Sequence, residues 1–362
     1  MCITIAANIA ETGVLTFPAC FPDSVVGFIP APDLADVRFI EYSFRYIKES
    51  IQRQASGSVQ DNINLGTLER LRIPVPPIEE QRAIAHILGT LDDKIELNRQ
   101  MNQTLDEIAR TLFRSWFVDF DPVRAKAEGR QPEGMDAETA ALFPDRFVDS
   151  ELGPIPEDWE WRPLDEIGTF LNGLALQKYP PRHDGSDLPV IKIAQLRANS
   201  TTGADMANAG IPSQYHVEDG DFLFSWSGSL LASIWSGGKG ALNQHLFKVT
   251  SEGFPKWFVY HWVQEHLAHF QRVAADKATT MGHINRHHLS SAMCAVPASR
   301  VFVAADRAIR PLMNLALGNA LESRTLADLR DTLLPELLSG RLQATCSGRR
   351  ASHPLALAPL SV

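Results

Sequence analysis

The chain has 362 residues, of which 44% are hydrophobic and 21% charged, values that are ordinary for a globular protein of more than one domain. It lacks an apolar run of about 18 residues that would span a membrane, a secretory signal, and the cysteine spacing of a zinc site. A reducing cytoplasm is therefore the expected location. The net charge of −9 is uneven, because residues 79–166 carry 21 acidic against 10 basic residues. We therefore expect this chain to bind DNA tightly only with a basic partner.

Residues 1–77 predict the rear part of a globular domain. Residues 2–10 and 25–29 have the composition of short buried strands, and residues 34–54 have helical spacing. We interpret Asn62 and Asn64 as caps of the turn before a strand rather than as base contacts.

Residues 78–118 predict one long helix. Steps of four and three residues from Ile84 select a seam that is apolar except at two asparagines: Ile84, Leu88, Leu91, Ile95, Asn98, Asn102, Leu105, Ala109, Leu112 and Trp116. This spacing is typical of a coiled coil, in which a polar seam residue fixes the register at a cost in stability. A helix of roughly 60 Å needs a partner of similar length.

After the first long helix, the sequence predicts a connector, a second globular domain and a second long helix, in that order. Residues 119–158, rich in acids, prolines and glycines, predict a connector, and residues 159–298 a second globular domain. Within that domain the predicted elements are strands at 188–196 and 241–249, a turn at Asp219-Gly220 that leads into a strand within 217–227, a glycine-rich hairpin at 228–240, and a helix at 257–271. Residues 299–342 predict a second long helix, and residues 343–362 a disordered tail.

The second long helix repeats the first at a constant offset of 221 residues. The matched positions are Ile63-Asn64 with Ile284-Asn285, Leu68 with Leu289, Pro76 with Pro297, Leu91 with Leu312, Asn98 with Asn319, Leu105 with Leu326, and Leu112 with Leu333. An unbroken offset over about fifty positions indicates a duplicated module. The alternative is two unrelated leucine-rich helices, against which the shared Ile-Asn and Asn positions argue.

The duplication predicts an α+β fold with two globular α/β domains and two long helices paired as an antiparallel coiled coil. The predicted pairing residues are twelve: Ile84, Leu88, Leu91, Ile95, Asn98, Asn102, Leu105 and Leu112 of the first helix, and Leu312, Asn319, Leu326 and Leu333 of the second. Pro311, which stands where the first copy has Thr90, would kink or restart the second helix.

The offset also leaves the first domain short. The opening of the second domain at Trp159 corresponds to a position roughly sixty residues before Met1. We therefore expect the first domain to lack its front portion, through gene truncation or a late start, which puts its share of a binding site in question.

Several segments resemble the specificity subunit of type I restriction-modification systems. They are GSVQDNI at 57–63, LRIPVPPIEEQ at 71–81, WFVDFDPV at 116–123, GDFLFSWSG at 220–228, TTMGHIN at 279–285 and LRDTLLPELLSG at 329–340. Each is weak alone, but together they extend over nearly the whole chain. The second copy departs from the pattern at residues 297–300, where Pro-Ala-Ser-Arg replaces the Pro-Pro-x-Glu-Glu-Gln junction.

The resemblance implies that each globular domain is a target recognition domain for one part of a split sequence in double-stranded DNA. The helix pair would be the spacer between the parts, set against about 34 Å per DNA turn. The implied partners are two modification (methyltransferase) subunits and a restriction (motor-nuclease) subunit. S-adenosylmethionine, ATP and Mg would be bound by those partners and not by this chain.

Candidate DNA contacts lie in loops and at strand ends of residues 159–298. They have side chains suited to phosphate, guanine or adenine: Lys192, Gln195, Arg197, Ser225, Trp226, Ser227, Lys239, Asn243, Gln244, Lys277, Thr279, Thr280, His283, Asn285 and Arg286. Taken singly, each is more often a solvated or turn residue, and Trp226 a core aromatic. The group at 277–286 is the richest in polar side chains.

Catalytic motifs are missing from the sequence. Residues 237–240 lack the spacing and hydroxyl of a phosphate-binding loop, and Ser227 lacks the Gly-x-Ser-x-Gly elbow. His283, His287 and His288 have no adjacent acid, so surface or packing roles are favoured over a metal site. We therefore expect a non-catalytic DNA-recognition subunit. The alternatives are a coiled-coil scaffold without DNA specificity and, least favoured, a self-sufficient nuclease.

Overall fold

The computed structural model describes residues 1–6, 8–55, 63–276 and 282–344. It divides into two compact units: unit 1 comprises Met1–Leu97 and Glu322–Val362, and unit 2 comprises Asn98–Leu321. Within the described ranges, no helix has both the length and the apolar character needed to cross a membrane.

The described chain contains both helices and strands. The helices are α1 Val37–Ala55, α2 Leu65–Glu69, α3 Ile78–Phe117, α4 Asp121–Ala127, α5 Ala137–Ala141, α6 Leu164–Ile167, α7 Ile193–Ala198, α8 Lys256–Asp276, α9 Arg286–Ser290 and α10 Ser299–Leu338. The strands are β1 Cys2–Thr4, β2 Thr12–Gly13, β3 Val25–Gly27, β4 Phe147–Val148, β5 Ile155–Pro156, β6 Glu160–Pro163, β7 Thr169–Asn172, β8 Leu188–Ile191, β9 Met206–Ala207, β10 His216–Val217, β11 Phe222–Ser225, β12 Ala232–Ile234, β13 Gly240–Leu242, β14 Leu246–Thr250 and β15 Met293–Val296. The α+β class with two long helices is thus confirmed.

Unit 1 is built on a three-stranded antiparallel sheet of order β2-β1-β3. Its core joins Ile3 of the sheet to Phe39 and Ile40 of α1 and to Leu88 of α3. Leu337 of α10 closes the same cluster. The long helices therefore contribute to the core of this unit as well as extending from it.

Unit 2 contains two four-stranded sheets, β12-β11-β14-β7 and β10-β13-β8-β9. One cluster with Leu223, Leu242 and Leu246 joins the two sheets. The larger cluster packs α8 against α3 and the start of α10 through aromatic side chains such as Phe113 and Phe258. The connector contributes Phe120, Val123, Phe143 and Ile155 to this cluster, so it packs against the core of unit 2 through these side chains.

The duplication extends to the strand register. In unit 1, Ile3 of β1 faces Val26 of β3. Adding 221 gives Phe224 and Phe247, which face each other across β11 and β14. The helices α1 and α2 likewise return as α8 and α9.

The sheet of unit 1 and the equivalent sheet of unit 2, which contains β11 and β14, differ at one edge. In unit 2, β14 pairs on its outer side with β7. In unit 1, no strand among the described residues pairs with the outer side of β3. β3 has two half-buried residues and one exposed residue, whereas the equivalent β14 is mostly buried, and Ile29, two residues after β3, is 91% exposed.

The long helices contact each other in antiparallel order within each unit. In unit 2, the Asn98 Nδ2 donates to the carbonyl of Asn319 at 3.3 Å, and the Asn319 Nδ2 donates to the Asn102 Oδ1 at 2.9 Å. In unit 1, the Arg330 guanidinium donates to the Asp92 carboxylate at 2.6 Å. Of the predicted pairing residues, four are buried and eight half-buried: buried are Ile84, Leu88, Asn98 and Asn319, and half-buried are Leu91, Ile95, Asn102, Leu105, Leu112, Leu312, Leu326 and Leu333.

Two strand predictions are wrong in extent. The strand predicted at 188–196 ends at Ile191, because α7 begins at Ile193. The strand predicted at 241–249 is two strands in different sheets, β13 and β14. The turn between them is held by backbone hydrogen bonds, including one from the Asn243 N–H to the Ile191 carbonyl at 3.2 Å.

Three further local predictions need correction. The first strand ends at Thr4 rather than at residue 10. Asn64 does act as a cap, but of helix α2 rather than of a strand, since its side chain accepts from the Thr67 N–H at 2.9 Å. The second long helix does not restart at Pro311, which is exposed. Water can therefore hydrogen-bond the carbonyl that the missing N–H leaves free.

Candidate nucleic-acid interface

Two loops of unit 2 run side by side and form the frame of the candidate interface. The Gly228 N–H donates to the Gly282 carbonyl at 2.8 Å, and the Ile284 N–H donates to the Trp226 carbonyl at 3.0 Å. A Cβ atom at Gly282 would collide with the Ala274 backbone, so the close approach requires glycine. These main-chain contacts fix residues 226–228 and 282–284 relative to each other.

Trp226 joins this frame to two other segments. Its indole Nε1 donates to the Asn172 Oδ1 at 2.9 Å and to the Gln244 carbonyl at 3.2 Å. Its ring centroid lies 6.0 Å from that of Phe247. Trp226 is half-buried, so part of the ring remains accessible while the rest anchors the end of β7 and the β13–β14 turn.

His245 links the frame to the same turn. Its Nδ1 lies 2.9 Å from the Ser227 Oγ, and its Nε2 lies 3.4 Å from the Gln244 Nε2. In the neutral tautomer that satisfies both contacts, Nδ1–H donates to the serine and Nε2 accepts from the amide.

Three of the predicted DNA contacts are buried and serve the loops instead. The Ser225 hydroxyl donates to the Ser229 carbonyl at 2.7 Å and accepts from the Leu231 N–H at 2.8 Å. Asn243 accepts from the His245 N–H at 3.2 Å, and Ser227 is 4% exposed. In this structure Ser225, Ser227 and Asn243 are buried and support the loops, whereas their predicted contact with DNA stays a prediction.

The predicted cations fall into two classes. Lys192 forms an ion pair with Asp205, and Lys239 lies 4.0 Å from Glu218. Arg197 and Arg286 are exposed, and neither side chain forms an ion pair or hydrogen bond with another residue in the described ranges. Among the predicted cations that lie in the described ranges, the two arginines are therefore the ones that present free positive charge to a phosphate.

The remaining predicted residues are placed at helix starts or outside the described ranges. Gln195 Oε1 accepts from the Lys192 N–H at 3.4 Å, at the start of α7. Asn285 precedes α9, and its N–H donates to His288 Nδ1 at 3.0 Å, while His283 is exposed. Lys277, Thr279 and Thr280 lie outside the described residues.

A groove of 320 Å³ opens beside the β13–β14 turn. It is lined by amides, one lysine, one imidazole and two apolar side chains: Gln177, Lys192, Ile193, Ala194, Asn243, Gln244 and His245. Sequence reasoning missed Gln177 and His245, as well as Asn172. One signal was available in Gly173, where a Cβ atom would collide with the Asn243 carbonyl, since glycine at a strand end marks a close backbone approach.

No group of three or more His, Cys, Asp or Glu side chains that could hold a metal ion occurs in the part of the chain that the structure describes. The described side chains of the candidate interface are hydrogen-bonding and cationic, and main-chain hydrogen bonds join the loops that carry them. Such an arrangement can bind a polar, anionic ligand through phosphate contacts and base edges.

Matches among solved structures include a type I restriction-modification S subunit from M. genitalium. The match has a TM-score of 0.48 and 14% identity, and it covers 93% of this chain and 82% of that one. An HsdS subunit from Thermoanaerobacter tengcongensis matches with a TM-score of 0.32 and 18% identity, over 85% of this chain and 71% of that chain.

Sequence comparisons give a family and named relatives. Residues 1–107 match the family described as the type I restriction modification DNA specificity domain. The HindI type I specificity subunit of Haemophilus influenzae is 26% identical over 77% of this chain and 71% of its own length. The MjaIX specificity subunit of Methanocaldococcus jannaschii is 24% identical over 94% of this chain and 77% of its own length. The resemblance of this chain to the specificity subunits of type I restriction-modification systems is therefore confirmed.

Proposed function

We propose that this chain is the sequence-specific DNA-binding subunit of a type I restriction-modification complex. It reads a bipartite site in double-stranded DNA and performs no chemistry itself. The family that matches residues 1–107 is described as a DNA specificity domain. Two relatives that match most of the chain are named specificity subunits.

Recognition of a bipartite site is supported by one observation: the main-chain hydrogen bond that joins the two loops of unit 2 has an equivalent in unit 1, where the side chains differ. The Ile63 N–H donates to the Ile5 carbonyl at 3.0 Å in unit 1, as the Ile284 N–H does to the Trp226 carbonyl in unit 2. At equivalent positions unit 1 has Ile5 where unit 2 has Trp226, and Ser24 where unit 2 has His245. Two copies of one backbone frame that present different side chains suit two different half-sites.

Charge supports a requirement for partners. The chain has a net charge of −9, and among the predicted cations of unit 2 only Arg197 and Arg286 are free of charged neighbours in the described ranges. Tight DNA binding rests on the release of counterions by many basic contacts. In this proposal two modification subunits dock on the long helices and supply most of those contacts, and a restriction subunit joins them. S-adenosylmethionine, ATP and Mg are then bound by the partners.

The test is selection of DNA by the assembled complex. The full chain with its modification subunits is incubated with a library of random bipartite sites, and the retained DNA is sequenced. Recovery of two defined half-sites at a constant spacing is expected. Equal retention of all sequences would contradict the proposal and favour a coiled-coil scaffold without specificity.

A further inference from the structure

The groove beside the β13–β14 turn contains little free positive charge. Lys192 is the one lysine or arginine that lines it, and its ammonium group is paired with Asp205. The remaining polar lining is provided by three amides and one imidazole. A surface of this kind suits the edge of a base rather than a phosphate.

Two of the three amides are available to a ligand. Asn243 is 5% exposed, and its oxygen accepts from the His245 N–H. Gln177 is exposed, and its side chain forms no hydrogen bond with another residue of the described ranges. Gln244 is half-buried and lines the same groove. Gln177 and Gln244 are therefore the groups that remain for recognition.

The orientation of Gln244 follows from its neighbour. The Gln244 amide nitrogen lies 3.4 Å from His245 Nε2. Because an amide nitrogen can only donate, His245 Nε2 is the acceptor in this pair, and its Nδ1–H donates to the Ser227 hydroxyl. This contact assigns the amide nitrogen to the histidine side and leaves the carbonyl oxygen as an acceptor for a ligand. A matching ligand must supply an N–H donor.

The apolar part of the lining has a matching counterpart on DNA. Ile193 and Ala194, in the first turn of α7, line the groove next to the amides. In the major groove, an A·T pair presents the adenine N7 acceptor and N6 amino donor beside the methyl group of thymine. Glutamine forms bidentate hydrogen bonds with adenine, and alanine packs against the thymine methyl, whereas guanine is matched by arginine or lysine.

We propose that this groove reads the major-groove edge of an A·T base pair and that Gln177 and Gln244 determine the specificity at that position. The inference rests on the proposed function, since it assumes that unit 2 reads DNA. To the proposed function it adds the identity of one base pair and the two residues that recognise it, of which Gln177 was not among the candidates predicted from the sequence.

The first experiment changes the amides to carboxylates. Gln177→Glu and Gln244→Glu chains are assembled with the modification subunits, and bound DNA is selected from the random bipartite library. The wild-type complex is expected to select an A·T pair at one position that each variant shifts toward C·G, because a carboxylate accepts from the cytosine N4 amino group. Gln214→Glu, which makes the same charge change on the exposed surface of the same unit outside the groove, is expected to keep the wild-type motif.

The second experiment removes one atom from the DNA. Replacement of the selected adenine by 7-deazaadenine removes the N7 acceptor, and it is expected to weaken wild-type binding by about tenfold. The same replacement should have less than about a twofold effect on a Gln177→Ala, Gln244→Ala double variant.

Two outcomes separate this inference from the proposed function. If the wild-type complex selects a motif but both glutamate variants leave it unchanged, or if 7-deazaadenine has no effect, the groove does not read an A·T pair although the protein reads DNA. If the wild-type complex selects no motif, the proposed function fails and this inference fails with it.

Discussion

Units 1 and 2 hold the same pair of long helices by different chemistry. In unit 1, Asp92 of α3 accepts hydrogen bonds from Arg330 of α10 at 2.6 Å and from Tyr42 and Arg45 of α1 at 2.7 and 2.9 Å. Burial favours the protonated form of Asp92, but these donors outweigh it and hold the pKa of the carboxyl below its usual range.

Unit 2 has aromatic side chains at the corresponding end of the helix pair. Phe113 of α3 is fully buried, with its ring centroid 5.0 Å from that of His261 and 5.4 Å from that of Trp262 on α8. At the positions that match Asp92 and Arg330, unit 2 has Met313 and Ala109. A duplicated backbone thus tolerates an ionic attachment in one copy and an apolar attachment in the other, because the helix geometry is set by its own periodicity.

The largest expected effect comes from a cavity in the aromatic attachment. Phe113→Ala should lower the free energy of unfolding of unit 2 by about 3–5 kcal/mol, the usual cost of truncating a buried phenylalanine. Urea unfolding followed by tryptophan fluorescence measures it. Ile108→Ala, on the exposed face of the same helix, is the control and should cost much less. Equal effects of the two substitutions would mean that the aromatic cluster does not hold α3.

As the pH falls, the stability of the aromatic cluster around Phe113 in unit 2 should decrease before that of the ionic cluster around Asp92 in unit 1. Burial, with a further contribution from Arg110, lowers the pKa of His261 to about 4 from an ordinary value of 6.5. The unfolded chain therefore binds more protons between these values, so stability present at neutral pH is lost as the pH falls from about 6.5 to 4, by about 3 kcal/mol. Asp92, whose pKa is lowered, loses its contribution only at a still lower pH.

Thermal melts between pH 7.5 and 4 check this order. His261→Phe should flatten the loss in that window, because it removes the group whose protonation favours unfolding. A variant that loses stability as steeply as the wild type would assign the acid sensitivity to other groups.

The ionic attachment can be tested with two neighbouring carboxylates. Asp92→Asn should cost about 2 kcal/mol, since three donors lose a charged acceptor that is 24% exposed. Asp93→Asn, whose pair with Arg38 is 69% exposed at the carboxylate, should cost about 0.5 kcal/mol or less. Chemical denaturation of the two single variants gives the comparison, and similar costs would show that the half-buried cluster around Asp92 contributes no more than a surface pair.

The smallest expected effect concerns the DNA-facing loops. Arg286 stands where unit 1 has Leu65, so free positive charge at this position is particular to unit 2. Arg197→Ala with Arg286→Ala should weaken DNA binding by the assembled complex and reduce the slope of log affinity against log salt by about 1 per lost phosphate contact. Arg146→Ala, which removes an arginine paired with Glu157, is the control. An unchanged salt slope would remove both arginines from the interface.

From the sequence, residues of the candidate site could be predicted only where the type of side chain and its position in a loop were sufficient to identify them. Arg197, Gln244, Asn285 and Arg286 follow from side-chain chemistry and position in loops, and the structure leaves their side chains exposed or half-buried. Ser225 could not be recognised as a loop support from sequence, because its partners, Ser229 and Leu231, face it only after the chain turns back.

The long helices, their 4-3 seam and the duplication at a constant offset were determined by the sequence itself. All three depend on residues within a few turns of one another, or on a comparison of two stretches of the same chain. The tertiary structure alone decided that residues 241–249 divide between two sheets and that Trp226 bonds Asn172. Strand pairing and burial are set by segments tens of residues away, and the local pattern carries no information about which of them will be adjacent.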